Sequence, residues 1–154
     1  MDCVNEIRNK MKYIKKITKN LGYKLEYYRI EDMKCPHKQP SKLPPEHSAI
    51  YIFIYKSKFL KIGKANSKSI ARFTSQHYGF SAPSTLAKSL CNDKHFKKLI
   101  INKYKEINKD NIKLWMLKNL HRVNIYVKSD KATTELIEAI LHYAFRPRFE
   151  GNIH

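Results

Sequence analysis

Apolar residues recur at three- and four-residue steps near the start of the chain, at Val4, Ile7, Met11, Ile14, Ile17 and Leu21, with lysines between them. That spacing predicts an amphipathic helix over 3–21, ending before Gly22. Tyr23 to Ile30 reads as a short strand or as a second helix. Pro36, Pro40, Pro44 and Pro45 then break any regular element, because proline lacks the amide hydrogen and clashes with helical neighbours. Ala49 to Lys64 reads as a β-hairpin. Asn66 or Ser67 can cap a helix running to about Tyr78, with Ile70, Phe73 and His77 as its apolar stripe and Gly79 as a left-handed stop.

Further along, Pro83 to Cys91 reads as a short helix and Asp93 to Ile107 as a longer one. Asp110 to Leu120 reads as a third, offering Leu114, Trp115 and Leu117 to a core. Val123 to Val127 reads as a strand. Lys131 to Tyr143 reads as a last helix, with Leu136, Ile137, Ile140, Leu141 and Ala144 on one side and Pro147 closing it. The order predicts an α/β (α+β) fold, a small central antiparallel or mixed sheet flanked by helices. The proline-rich linker divides it into a basic helical extension over 1–46 and a main domain over 47–154.

Charge changes this picture from a generic fold to a functional class. Of 154 residues, 31 are Lys or Arg and 13 are Asp or Glu, a formal charge of +18. Self-repulsion of that size calls for a polyanionic partner, and nucleic acid is the leading one. No apolar run approaches the roughly 20 residues that span a bilayer, and the lysine-punctuated N-terminus lacks the apolar block of a signal peptide. A cytoplasmic location with no membrane partner is therefore expected. Cys3, Cys35 and Cys91 are odd in number and widely spaced, so they read as free thiols. Cys35 and His37 flank Pro36, but no CxxC or HxxxH pair supplies the two further ligands of a zinc site.

The hairpin sequence Ala49-Ile50-Tyr51 and Lys61-Ile62-Gly63-Lys64 brings a phenol, two ammonium groups and a glycine together. Arg72 follows eight positions later, and Glu138 lies on the last helix, nine residues before Pro147 in Arg146-Pro147-Arg148-Phe149. In order and spacing this set resembles the GIY-YIG nuclease family, over about residues 48–152. Ala49-Ile50-Tyr51 stands for GIY, with Ala for Gly. Lys61-Ile62-Gly63 stands for YIG, with Lys for Tyr as in some restriction endonucleases of the family. Ile137-Glu138 with the Arg-Pro-Arg-Phe run is similar to the metal-binding helix of excision-repair nucleases. Gln76 stands four after Arg72, where the family often has His or Tyr, and the asparagine expected after the Pro-x-Tyr element is displaced to Asn152.

The resemblance implies roles that fit phosphodiester hydrolysis, which needs a nucleophilic water, a proton acceptor and positive charge over the transition state. Tyr51 is the general base, its ordinary pKa of about 10 lowered by Lys61 and Lys64. Lys61 and Lys64 contact phosphate oxygens as point charges and Arg72 grips two with its planar fork. Glu138 holds one Mg²⁺ or Mn²⁺ ion, which keeps most of its waters. On a helical wheel Glu138 borders the apolar stripe while Glu135 and His142 point nearly opposite it, leaving Glu135 as the fallback ligand. His77 either packs in the core or, like Tyr78, supports the site from behind. Lys94, Lys97, Lys98, Lys103, Lys105, Arg146, Arg148 and the lysine-rich first helix offer phosphate contacts that carry affinity but read no sequence.

The expectation is a metal-dependent DNA endonuclease of restriction or defence type, with RNA open as a substrate. A homodimer is the economical arrangement if both strands are cut at one sequence. The alternative from another class is a non-catalytic, basic nucleic-acid-binding module whose nuclease site has lapsed.

Overall fold

The computed structural model describes residues 2–101, 106–128 and 130–149. In chain order the elements are α1 (Cys3–Asn20), β1 (Tyr27–Asp32), β2 (Ser48–Tyr55), β3 (Lys58–Ala65), α2 (Ile70–Thr74), a 3-10 turn (Gln76–Tyr78), α3 (Leu86–Asn92), α4 (Lys94–Ile101), α5 (Ile112–Asn119), β4 (His121–Lys128) and α6 (Lys131–Phe145). The fold is α+β. Its four strands form one antiparallel sheet in the order β1-β4-β2-β3.

The sequence of β2 explains why this sheet is covered on both sides. Ile50, Ile52 and Ile54 alternate with Tyr51, Phe53 and Tyr55, and every one of these side chains is buried. Successive residues of a strand point to opposite faces, so the strand carries an isoleucine face and an aromatic face. On the isoleucine face, Ile7, Met11 and Ile14 of α1 and Ile137 and Leu141 of α6 close one core. On the aromatic face, Phe73, Leu86, Leu90, Phe96, Trp115 and Met116 from the intervening helices close a second. Burying a side chain of this size contributes about 1.5–3 kcal/mol, so two cores share the work of holding a short sheet.

Several sequence expectations are refined by this packing. The ambiguous segment after Gly22 yields a strand, β1, which pairs with β4 from Tyr27↔Lys128 to Asp32↔Val123. Elements of the basic extension thus join the same sheet and the same core as the main domain. Leu21 is 62% exposed instead of extending the apolar stripe, because the chain leaves the helix through Gly22 at φ +82°. Leu114 also faces outward, while Trp115 and Met116 carry the buried face of α5. The helix expected from 66 to 78 is only one turn long, and the 3-10 turn follows it. Gly79 does not supply a left-handed stop, since its φ of −141° is extended backbone open to any residue. The far end of the helix expected over 93–107 falls partly on 102–105, outside the described residues.

His37 lies in the proline-rich loop but is buried. It is 6% exposed, its Nδ1–H donates to the Leu120 carbonyl at 2.7 Å, and its Nε2 accepts from the Tyr78 hydroxyl at 2.8 Å. This pins the proline-rich segment against the aromatic core. Among the described residues no group of three or more His, Cys, Asp and Glu is arranged to hold a metal, and no helix is long and apolar enough to cross a membrane.

Candidate active site

A cavity of about 590 Å³ opens at the edge strand β3, between the sheet, α2 and α6. Tyr51, Lys61, Lys64, Arg72, His77, Glu138 and Arg146 all line it, together with Gly63, Ser84, Glu135, His142 and Tyr143. The hairpin register builds its floor. Tyr51 pairs with Gly63 and Phe53 with Lys61, so the phenol and the Lys61 ammonium share the aromatic face of the sheet. Lys64 pairs with Ile50 and leaves on the other face, toward α6.

Gly63 is there because of Tyr51. A β-carbon at position 63 would lie 2.5 Å from Tyr51 Cζ and closer still to its Oη, so only glycine lets the ring lie across its cross-strand partner. The Arg146-Pro147-Arg148-Phe149 run is tied to the same edge, the Arg148 and Phe149 amides donating to the carbonyls of Phe59 and Leu60. This brings the Phe149 carbonyl to 3.5 Å from Lys61 Nζ.

Lys61 is 7% exposed, and burial, with Arg72 nearby, pulls its pKa below the ordinary lysine range. Among the described residues no carboxylate lies within ion-pair distance of it, and the 3.5 Å contact to Phe149 is at the limit of hydrogen bonding. A buried, underpartnered ammonium is a preformed place for an anionic oxygen.

The histidine that the sequence offers one position late does reach the site. Because α2 stops at Thr74 and the 3-10 turn takes only about three residues per turn, His77 swings inward and its Nε2 lies 2.7 Å from Tyr51 Oη. Its Nδ1 accepts from the Leu86 amide at 3.3 Å, which leaves the proton of the neutral ring on Nε2. His77 therefore donates to Tyr51. Burial, reinforced by Lys61, Arg122 and Arg72, depresses its pKa to about 3, so the ring is neutral under ordinary conditions.

Tyr51 departs from the expectation that its neighbours lower its pKa. It is 2% exposed, and burial raises the phenol above its usual value, outweighing the opposing influence of Arg72 and Arg122. Lys64 contributes little to that opposition because its ammonium is committed elsewhere, at 2.7 Å from Glu138 Oε2 and 3.6 Å from Glu135 Oε1.

On α6, Glu135, Glu138 and His142 share the cavity-facing side with Ala139 and Tyr143, and Arg146, just past the helix end, lines the cavity too. Glu135 and His142 were expected to point away. They face the cavity because the buried contact of α6 is narrow, centred on Ile137 and Leu141, with Leu136 and Ile140 half-buried and Ala144 exposed. His142 Nε2–H donates to the Ile62 carbonyl at 3.0 Å, which fastens the helix to the strand edge. Glu138 and Glu135 are the residues that could hold a divalent cation. Two carboxylates lining one cavity fit a Mg²⁺ ion that keeps several waters and takes further ligands from substrate.

Of the other expected contacts, Tyr78 lies behind the cavity, where its hydroxyl meets His37 and Arg122. Lys94, Lys97, Lys98 and Arg148 do not line it. Lys97 is ion-paired with Glu106 at 2.9 Å and Arg148 with Asp93 at 2.6 Å, so the N-terminus of α4 and the Arg-Pro-Arg-Phe run hold each other.

Arg122, on β4, is the residue that sequence reasoning missed. It is 1% exposed, and its guanidinium lies 5.9 Å or less from the ring centres of Tyr51, Phe53, Phe73 and Tyr78. The only signal in the sequence was its place in the alternation Arg122, Asn124, Tyr126 against Val123, Ile125, Val127.

Compared with known proteins, the chain matches no family model, no curated protein and no solved structure.

Proposed function

We propose that this protein is a metal-dependent endonuclease of the GIY-YIG type that hydrolyses phosphodiester bonds in DNA. The observation that supports this reading is convergence: Tyr51, Lys61, Lys64, Arg72 and Glu138, drawn from two strands and two helices, line one cavity. Cations outnumber carboxylates there, with Lys61, Lys64, Arg72 and Arg146 against Glu135 and Glu138.

In this reading a scissile phosphate enters between Lys61 and Arg72, displacing the weak Phe149 contact of Lys61 with a charge-assisted one. Tyr51 takes the proton of the attacking water as the phenolate. The donated Nε2–H of His77 and the nearby Arg72 and Arg122 favour that form, against the burial that opposes it. Glu138, with Glu135 beside it, would hold Mg²⁺ or Mn²⁺, which would supply positive charge for the leaving oxygen. Lys64 then moves from the carboxylates toward phosphate.

The tight Lys64–Glu138 ion pair also favours a second reading, a nucleic-acid-binding module in which a lysine takes the place of the metal. Plasmid cleavage with Mg²⁺ and with chelator separates the two. The nuclease reading expects cleavage only with Mg²⁺, lost on Glu138→Ala while DNA affinity stays within a few-fold. Binding without cleavage under any metal condition, or full cleavage by Glu138→Ala, would sink it. The same assay on RNA settles the sugar.

A further inference from the structure

Arg122 sits behind the cavity, 1% exposed, and all three of its guanidinium nitrogens donate hydrogen bonds. Its Nη2–H donates to the Phe73 carbonyl at 2.7 Å, its Nη1–H to the Tyr78 hydroxyl at 2.9 Å, and its Nε–H to Asn124 Oδ1 at 2.9 Å. Phe73 and Tyr78 bracket one stretch of chain, the end of α2 and the 3-10 turn. Arg72 immediately precedes that stretch and His77 lies within it. A planar guanidinium with fixed donor directions can hold two such points at a set separation, which a flexible ammonium cannot.

A buried guanidinium carries a large desolvation cost unless its donors are satisfied. Here the acceptors are a carbonyl, a phenol and an amide, and a carboxylate is reached through the amide. Asn124 Nδ2–H donates to Glu31 Oε2 at 2.9 Å, and Glu31 also accepts from the Tyr126 hydroxyl at 2.6 Å. At the other end, Tyr78 donates to His37 Nε2. Glu31 lies on β1 and His37 in the proline-rich segment, so both ends of the chain of hydrogen bonds come from the first 46 residues. Aliphatic packing would fill the same space without any of these polar groups, and replacing buried ionic groups by apolar ones is often stabilising. The arrangement therefore calls for a purpose other than stability.

We infer that Arg122 is a positioning residue: its guanidinium staples the segment from Phe73 to Tyr78 so that Arg72 and His77 stand in register with Tyr51, and the N-terminal region supplies the anchors, Glu31 and His37, that hold the staple. The inference rests on the nuclease reading for what the register is used for, but the staple itself has a signature independent of cleavage. Of the charged and titratable groups around His77, Lys61 reaches it from β3, Arg72 from α2 and Arg122 from β4, while Tyr51 holds its Nε2 from β2. None of them but Arg122 bonds the backbone that carries it.

The test is Arg122→Met, with Arg122→Lys as the conservative partner, in the full chain labelled with ¹⁵N-histidine. In the native protein His77 should show one tautomer, protonated at Nε2 and bare at Nδ1. In Arg122→Met we expect the two nitrogens to average, kcat for plasmid cleavage to fall about 100-fold, the scale of a misplacement by about 1 Å, and KM to stay within twofold. Arg122→Lys should recover part of the tautomer signal and of kcat together. A well-folded Arg122→Met with the native His77 signature and native kcat would overturn the inference, as would equal losses in kcat and in DNA affinity. If Arg122→Met does not fold, Tyr78→Phe, which removes one end of the staple, is read the same way. Should the native protein cleave nothing, the nuclease reading falls, and the His77 signals of the variants alone decide whether the staple exists.

Discussion

Replacing Gly63 by alanine tests the geometry of the site through a single methyl group. The added β-carbon would lie 2.5 Å from Tyr51 Cζ and 2.8 Å from Cε2, far inside contact distance, and these atoms belong to a rigid ring that is 2% exposed and hemmed in by Phe53 and His77. Overpacking of this kind costs about 1–3 kcal/mol. In a chain of this size that lowers Tm by roughly 2–12 °C, taking 2–4 °C per kcal/mol. The ring must tilt or the strands must part, and either movement breaks the 2.7 Å contact between Tyr51 and His77. On the proposed nuclease reading, cleavage should then fall about 100-fold in a protein that remains folded. The assays are thermal unfolding and plasmid nicking on Gly63→Ala, Tyr51→Ala and the double variant. Tyr51→Ala loses a buried aromatic and should cost about 3–5 kcal/mol by itself. On that background Gly63→Ala should cost almost nothing, so the double-mutant cycle should show a coupling of about 1–3 kcal/mol, with no recovery of activity. Native Tm and native activity in Gly63→Ala, or costs that simply add in the double variant, would refute the claim that position 63 is glycine to admit the Tyr51 ring.

Two further outcomes follow from buried histidines and from the surface of α1. His37 and His77 have pKa values depressed to about 4 and about 3, against roughly 6.5 in the unfolded chain, so the unfolded state binds more protons between those limits. Their stabilisation is full above about pH 6.5 and is lost as pH falls through the folded values, about 4 for His37 and about 3 for His77; the Tm advantage of the native protein over His77→Gln should shrink as pH falls from about 6.5 toward 3, and a constant difference would contradict the assignment. On α1, Lys12, Lys15, Lys16 and Lys19 are all exposed beside the buried stripe. If they contact phosphates, replacing all four by glutamine in the Glu138→Ala background should lower the slope of log affinity against log salt by up to about 0.9 per contact on duplex DNA. An unchanged slope would remove α1 from the binding surface.

How much of the site was legible in advance depended on which side chains announce themselves locally. Tyr51, Lys61, Gly63 and Lys64 sit within one hairpin, where an alternating pattern fixes which residues share a face. Arg72 and Glu138 were placed by the family resemblance, Arg72 in the helix after the hairpin and Glu138 by its spacing to the Arg146-Pro147-Arg148-Phe149 run. His77 was ambiguous because its position depends on where α2 ends, and a one-turn helix followed by a 3-10 turn changes the direction of every later side chain. Glu135 and His142 were misassigned because a helical wheel assumes that every apolar residue faces the core, while α6 buries chiefly Ile137 and Leu141. Arg148 read as a phosphate contact, but Asp93, 55 positions away in the sequence, lies at 2.6 Å from it.

By itself the sequence determined the elements of the hairpin and of the first and last helices, the basic character of the surface, and the two faces of β2, because these follow from periodicity and charge along a short stretch of chain. Only the tertiary structure decided which of those faces were covered. The polar row Arg122, Asn124 and Tyr126 looks like the solvent side of an ordinary strand until α2, the 3-10 turn and the later helices close over it. The burial that follows raises the Tyr51 pKa, keeps His77 neutral and turns Arg122 from a surface charge into the centre of a hydrogen-bonded network. Desolvation depends on what packs above a residue, and that is set by chain segments up to about a hundred positions away.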